Sequence, residues 1–309
     1  MRSIITVIIG CFLLVGCDPG AITEIPVNEP RLVVQAEPED GQPWKIFVTR
    51  TLPLLDPKSS YLYYPRSVPG ARVQLFEDGQ FVEELTATGP DSVMQTFVGS
   101  AKLPEPGHTY SIKVDAPGFE SVYATYAQPS PVAIDDVKFE ITAQYDNGPN
   151  SNFKYTQLEF DVDITITDPG PENYYEFAFF RASSPDIHTA EVVFRESMYS
   201  LDVNYQTSNM YLGTFIDDKK FSGQTATLRF QAFTSSMILT ADTLSTPYFF
   251  VQLRNLSKPL SDWKTYLGSP GPSTYDPYAQ PSLVKTNVQS GMGVFAGYSA
   301  SVKSFYHQP

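Results

Sequence analysis

Ala71-Arg72-Val73-Gln74-Leu75-Phe76-Glu77-Asp78-Gly79-Gln80-Phe81-Val82-Glu83-Glu84-Leu85 is the stretch whose pattern decides the fold. Val73 and Leu75 alternate with Arg72 and Gln74, the two-residue period of a strand with one buried face. Asp78-Gly79 between two such runs predicts a β-hairpin, because a type I′ turn needs positive φ at both central residues and this pair tolerates it. Outward from the hairpin the same pattern recurs. Leu32 to Ala36, Trp44 to Arg50, Thr96 to Val98, Thr109 to Val114 and Ser121 to Tyr126 are short β-branched and aromatic runs set off by Pro and Gly. About seven strands in roughly 100 residues is the count of an immunoglobulin-like sandwich. Residues 31–128 are therefore assigned to one, and Pro129-Ser130-Pro131 marks its end.

Residues 132–309 read as a second, larger β-rich domain. In Leu158 to Ile166 the apolar Leu158, Phe160, Val162, Ile164 and Ile166 share one strand face, and Glu159, Asp161 and Asp163 share the other. That second face is a solvated one, and the carboxylates need no catalytic explanation. Tyr174 to Phe180 is apolar at odd and even positions, which predicts burial on both sides. Thr225 to Phe233 and Tyr248 to Arg254 add strands, while residues 189–203 fit helix and strand alike. Between Ser257 and Gly268, Leu260, Trp263, Tyr266 and Leu267 fall at helical spacing, with Pro259 near the start and Gly268 at the end. The fold class is thus all-β: an N-terminal immunoglobulin-like sandwich, then a larger β-sandwich-like domain with one short helix.

Composition narrows the function. The chain of 309 residues carries 21 Lys plus Arg against 34 Asp plus Glu, a net charge of -13, with its basic residues scattered. Nucleic acid is excluded as a partner, since phosphate binding needs a concentrated cationic face. Arg2 precedes an uncharged apolar run from Ser3 to Gly16, the pattern of a secretory signal too short to span a bilayer. It ends in Leu14-Val15-Gly16-Cys17, a lipobox, so residues 1–16 read as a signal peptide and Cys17 as the lipidation site. Residues 17–30 are polar and proline-punctuated and read as a tether. Of the two cysteines, Cys11 lies in the discarded run, leaving no second thiol for a disulfide, metal or nucleophile.

No catalytic or metal constellation stands out, and no cofactor is expected. His108, His188 and His307 stand singly, without a second ligand at metal spacing. Gly291-Met292-Gly293 with Gly297 has the wrong spacing for a nucleotide loop and reads as a turn or bulge that brings the final strand close. Asp217-Asp218 before Lys219-Lys220 reads as a polar turn rather than a cation site. The candidate binding surface is the loop Ser269 to Gln280, where Pro270, Pro272 and Pro277 stiffen a segment bearing Tyr275 and Tyr278. It follows the helix carrying Trp263 and Tyr266, and rigid aromatics anchor ligands or partners at little entropic cost. The competing reading is that these rings cover the end of the core.

With these segments laid out, the chain resembles the Bacteroidetes family of outer-membrane lipoproteins labelled domain of unknown function 4249. The matching stretches are Asp168-Pro169 with Asn173-Tyr174-Tyr175, Phe215-Ile216-Asp217-Asp218 with Phe221-Ser222-Gly223, and Val251 to Ser257 leading to Tyr266. Thr286 to Gly297 and Ala71 to Glu77 match as well. The resemblance implies an outer-membrane lipoprotein, held by its lipid and working beside a TonB-dependent transporter, and it carries over no catalytic residues. Asp18 to Glu24 lacks the dense acidic run usual in surface export in this phylum, so the leaflet stays open. Asp91-Ser92-Val93 and Asp242-Thr243-Leu244 match a three-residue O-glycosylation pattern of the phylum. The expectation is a non-enzymatic binding or accessory lipoprotein. A structural envelope lipoprotein without a ligand, or a hydrolase without a recognisable motif, are the other classes.

Overall fold

Strands form here because β-branched and aromatic residues alternate with polar ones over short runs, leaving one face of each to be buried. The computed structural model describes residues 29–51, 67–88, 95–146, 155–170, 172–191, 193–201, 214–234, 237–238, 248–268 and 285–306. Cys17, His307 and both glycosylation-like triplets lie outside them, as do Tyr275 and Tyr278.

The first sandwich is built from β1 (Leu32–Ala36), β2 (Trp44–Arg50), β3 (Arg72–Glu77), β4 (Gln80–Glu84), β5 (Thr86–Thr88), β6 (Gln95–Gly99), β7 (Thr109–Asp115) and β8 (Val122–Ala127). One sheet runs β1-β2-β6-β5 and the other β8-β7-β3-β4, the strand order of an immunoglobulin-like sandwich. Asp78 and Gly79 both take positive φ, 47° and 79°, as the hairpin requires. Trp44, Ile46, Val48, Val73, Leu75, Ile112 and Val114 point between the sheets and are almost wholly buried.

The second sandwich contains β9 (Ile134–Asp146), β10 (Tyr155–Thr167), β11 (Tyr174–Ala182), β12 (Val193–Ser200), β13 (Thr214–Asp217), β14 (Thr225–Phe233), β15 (Met237–Ile238) and β16 (Tyr248–Leu256), followed by helix α1 (Lys258–Gly268). The ambiguous residues 189–203 settle as strand β12, which changes layer midway: Val193 to Glu196 pair with β11, and Ser197 to Ser200 pair with β14. The five alternating apolar residues of β10, with Phe230 of the neighbouring β14, pack in one core with Phe177, Phe179, Phe249, Val251 and Leu253. β11 is buried on both faces, as its doubly apolar sequence predicts, and it carries Glu176 and Arg181 into the interior.

After α1 the chain returns to the first sandwich. β17 (Val288–Gln289) pairs antiparallel with β8, and β18 (Met292–Phe295) pairs parallel with β1, so one short segment closes the adjacent edges of both sheets. Phe295 stacks on Trp44 with centroids 6.2 Å apart and meets Tyr126 edge-on at 5.0 Å. The side chain of Asn287 fixes this segment: its Nδ2 donates to the carbonyls of Phe295 (2.7 Å) and Thr125 (3.2 Å), and its Oδ1 accepts from the Phe295 amide (3.0 Å). Gly293 has φ +105°, and a Cβ there would collide with the Val34 carbonyl oxygen, so the parallel pairing requires glycine. β19 (Tyr298–Tyr306) then pairs with β16 and ends the second sandwich. The architecture is all-β with one short helix, as the sequence predicts. The chain's crossing back to β1 and β8 is the feature that the Pro129–Pro131 punctuation does not announce.

Candidate functional site

Three of the resemblance-bearing stretches, residues 168–175, 215–223 and 251–257, meet at one corner of the second sandwich. Asp168, at the end of β10, is buried, and its carboxylate accepts hydrogen bonds from the amides of Gly170 (2.7 Å) and Gly223 (2.8 Å) and from Asn173 Nδ2 (3.3 Å). It also accepts one from the Tyr175 hydroxyl. Burial, followed by the Asp168 carboxylate, pushes the Tyr175 phenol far above its ordinary range, so it stays a hydrogen-bond donor. Asp218 Oδ2 accepts from the Asn173 amide (2.8 Å), and Asn255 Nδ2 donates to Asn173 Oδ1 (3.1 Å) and to the Ser130 carbonyl (3.0 Å). A polar side chain inside a protein is stable only when its hydrogen-bonding capacity is used, and here that capacity locks four strand ends together, those of β10, β11, β13 and β16.

Above this corner lies a cleft of about 660 Å³. One wall is the face of α1 carrying Lys258, Ser261, Asp262 and Thr265, which recur at the helical period. The other is β13 and the turn Asp218–Lys220, and Tyr174 and Glu172 form the floor. Four of the cleft's charged residues are paired: Lys258 Nζ lies 2.7 Å from Asp262 Oδ1, and Lys219 Nζ 2.7 Å from Asp217 Oδ2, while Glu172, Asp218 and Lys220 also line it. Lys285 Nζ approaches Asp262 to 3.6 Å. The Lys258 ammonium also sits 5.3 Å from the Tyr174 ring centroid. Asp217 ends β13 and Asp218 opens the turn to Lys220, and among the described residues no group of three or more metal-ligating side chains assembles.

The opposite side of α1 is anchored in the interior. Leu260 is fully buried, and Lys264 is 5% exposed with its Nζ 2.8 Å from both Glu37 Oε2 and Glu176 Oε2. Glu176 also meets Arg195 Nη2 at 2.5 Å and Arg254 Nη1 at 3.4 Å. Burial alone would raise the Glu176 carboxyl, but Lys264, Arg254 and Arg195 outweigh it and hold the group down at about 2. Arg254 is likewise held charged: burial opposes the charge, and Glu176 and its acidic neighbours overcome it. Glu39 extends this network, accepting from the Tyr298 hydroxyl at 2.9 Å. Lysine 264 therefore ties the loop after β1 to the outer face of β11 and fixes the helix whose other face lines the cleft.

Of the four candidate binding aromatics, two lie among the described residues. Trp263 is half-buried and packs against the core of the first sandwich, and its indole N–H is buried without a hydrogen-bond partner. Tyr266, one turn along, is half-buried. Sequence reasoning did not single out Tyr174, Lys258, Ser261 or Asp262. The signal that could have found them is the Asn173-Tyr174-Tyr175 stretch, which contains Tyr174 and shares the cleft with the other three.

A family model described as Domain of unknown function (DUF4249) matches residues 21–304. No curated protein matches the chain. Among solved structures, a DUF4785 family protein from Legionella pneumophila is similar at 11% identity with a TM-score of 0.26. That alignment covers 76% of this chain and 54% of the Legionella protein, so the chain spans about half of that protein's length.

Proposed function

The chain belongs to the family described as Domain of unknown function (DUF4249), and from that premise we propose that it is an outer-membrane lipoprotein acting as a non-enzymatic binding or accessory component of a TonB-dependent transporter. The observation that carries the reading is the N-terminal pattern. Arg2, the apolar run to Gly16 and Leu14-Val15-Gly16-Cys17 form a segment cut before a cysteine that is then acylated. Two or more acyl chains on Cys17 hold a folded body at a membrane, where one chain gives only marginal binding. The cleft beside α1 supports a binding role, because both of its walls are fixed from behind and a prepared surface loses little entropy on association. The buried carboxylates Asp168, Glu176 and Asp218 serve amides and cations of the fold itself. In this reading α1, with Tyr266 and the following segment that bears Tyr275 and Tyr278, forms the contact surface, and Trp263 seats the helix on the first sandwich.

The test is fractionation and co-purification from native membranes. Wild-type protein extracted with gentle detergent should bring a TonB-dependent transporter with it, and Cys17→Ala should abolish lipoprotein processing and outer-membrane retention. Retention of the Cys17→Ala variant in outer membranes would overturn the anchor, and the absence of any transporter from the wild-type extract would overturn the accessory role.

A further inference from the structure

We propose that the cleft between α1 and the Thr214 to Lys220 segment binds a neutral, polyhydroxylated ligand, a carbohydrate chain, in preference to an ion or a zwitterion. This rests on the binding role above and names what that role would hold. At about 660 Å³ the cleft lies within the range of small-molecule sites and has room for more than one sugar ring. Of its charged lining residues, Lys258 is matched with Asp262 and Lys219 with Asp217, each at 2.7 Å, Asp218 accepts the Asn173 amide, and Glu172 and Lys220 add one charge of each sign. A charged ligand that engages either pair would have to displace one of its partners, and Glu172 and Lys220, opposite in sign, add no net charge to favour it. A hydroxyl need displace none. A carboxylate has about four lone-pair positions and an ammonium three donors, so each paired group keeps capacity to spare. A hydroxyl donates to the one and accepts from the other, and vicinal hydroxyls do both at once.

The remaining lining fits the same chemistry. Ser261 and Thr265 stand one helical turn apart on α1, and their hydroxyls line the cleft beside Asp262. Tyr174 and Phe215 are half-buried, each seated on the first core, and give the cleft aromatic surface, shared at Tyr174 with the Lys258 ammonium 5.3 Å from its centroid, against which C–H groups of a sugar can lie. The floor is held by the Asp168 and Asn173 hydrogen bonds and the helix by Leu260 and Lys264. The donors and acceptors are thus positioned before any ligand arrives, which is the condition for a wet, open cleft to select among ligands that differ only in hydroxyl geometry.

The experiment uses the full lipidated chain in a detergent without a sugar headgroup. Maltohexaose, cellohexaose, xylohexaose and mannohexaose are titrated by calorimetry beside hexagalacturonate, glycylglycine and inorganic phosphate. At least one neutral hexasaccharide should bind saturably and more tightly than every charged probe. Ser261→Ala with Asp262→Ala should weaken that binding at least tenfold while shifting the melting temperature by no more than a few degrees, and Lys219→Gln should weaken it several-fold. Binding by none of the neutral saccharides, preference for a charged probe, or unchanged affinity in the double variant would each overturn the assignment. Transporter co-purification read on the same variants separates the two ideas: saccharide binding without any associated transporter overturns the accessory role and leaves the cleft standing, whereas association without saccharide binding does the reverse.

Discussion

The first sandwich closes its β1 and β8 edges with strands that arrive from residues 288–295, whereas the paired strands of the second, among the described residues, come from residues 134–306, with a single bridge from Tyr298 to Glu39. Their interiors differ too. The first packs aliphatic side chains around Trp44, Tyr110, Tyr126 and Phe295, one of which comes from the far end of the chain. The second is filled by phenylalanines at 160, 177, 179, 230 and 249 that lie within it in sequence. The contrast teaches that a proline-marked boundary reports where the chain is punctuated, not where a core is complete. It also locates the buried charge: Glu176, Arg254 and Lys264 belong to the second sandwich and helix, and they reach toward Glu37 and Glu39 of the first.

The most severe way to break the contrast is to separate the regions. Residues 31–128 produced alone lack two edge strands and leave Trp44 and Tyr126 without Phe295, so they should show no cooperative thermal transition in circular dichroism. The same fragment with residues 285–298 joined by a Gly/Ser linker should recover one. A cooperative transition in the bare fragment would show that the returning strands are an addition to a finished core.

Next in size is the buried charge. Glu176→Gln leaves Lys264, Arg254 and Arg195 facing a neutral amide in the interior and should cost about 3–5 kcal/mol of stability in denaturant unfolding at neutral pH. Because the folded carboxyl is held below its ordinary value of 4.5, at about 2, its contribution is full above 4.5. It declines as pH falls between those values and is lost below about 2. The stability difference between wild type and variant should therefore shrink on acidification through that window, and a difference independent of pH would reject the assignment.

Asn287→Ala sharpens the comparison from the other side. It removes the hydrogen bonds that fix Phe295 and leaves buried backbone groups unpaired, so a loss of about 1–3 kcal/mol is expected. Hydrogen exchange should rise at β1, β8 and β18 and stay unchanged in β10 and β14. The smallest effect is at the first hairpin, where His108 Nδ1 lies 2.7 Å from Asp78 Oδ2 and this hydrogen bond raises the imidazole above its ordinary value. The stabilisation it brings is present below the ordinary histidine value of 6.5 and fades as pH rises through the raised one. Asp78→Asn keeps a residue tolerant of positive φ and should return the His108 titration toward 6.5 in NMR, with little change in melting temperature.

Much of this was legible because β structure writes its period locally. The alternation in Leu158 to Ile166, the Asp78-Gly79 turn and the capped pattern around Leu260 each depend on neighbours within a few residues, and each element formed where expected. The returning strands were not legible. β17 has two residues and β18 four, with glycine in the second, too short to show a period. The candidate site was legible only in part: Trp263 and Tyr266 mark the helix, but the face of α1 that lines the cleft is polar and reads as ordinary solvent-facing surface.

By itself the sequence determined the class of fold, the order of its principal strands, and the hairpin and helix, since all of these are encoded in local spacing of apolar, turn-forming and capping residues. Only the tertiary structure decided that Asn287 and Phe295 complete a core begun at Leu32, that Asp168, Asn173, Asp218 and Asn255 meet at one corner, and that Lys264 spans from Glu37 to Glu176. The physical reason is that burial and charge pairing depend on distance in space, and pairing register, which sets that distance here, joins residues more than 250 positions apart, as between Val33 and Met292.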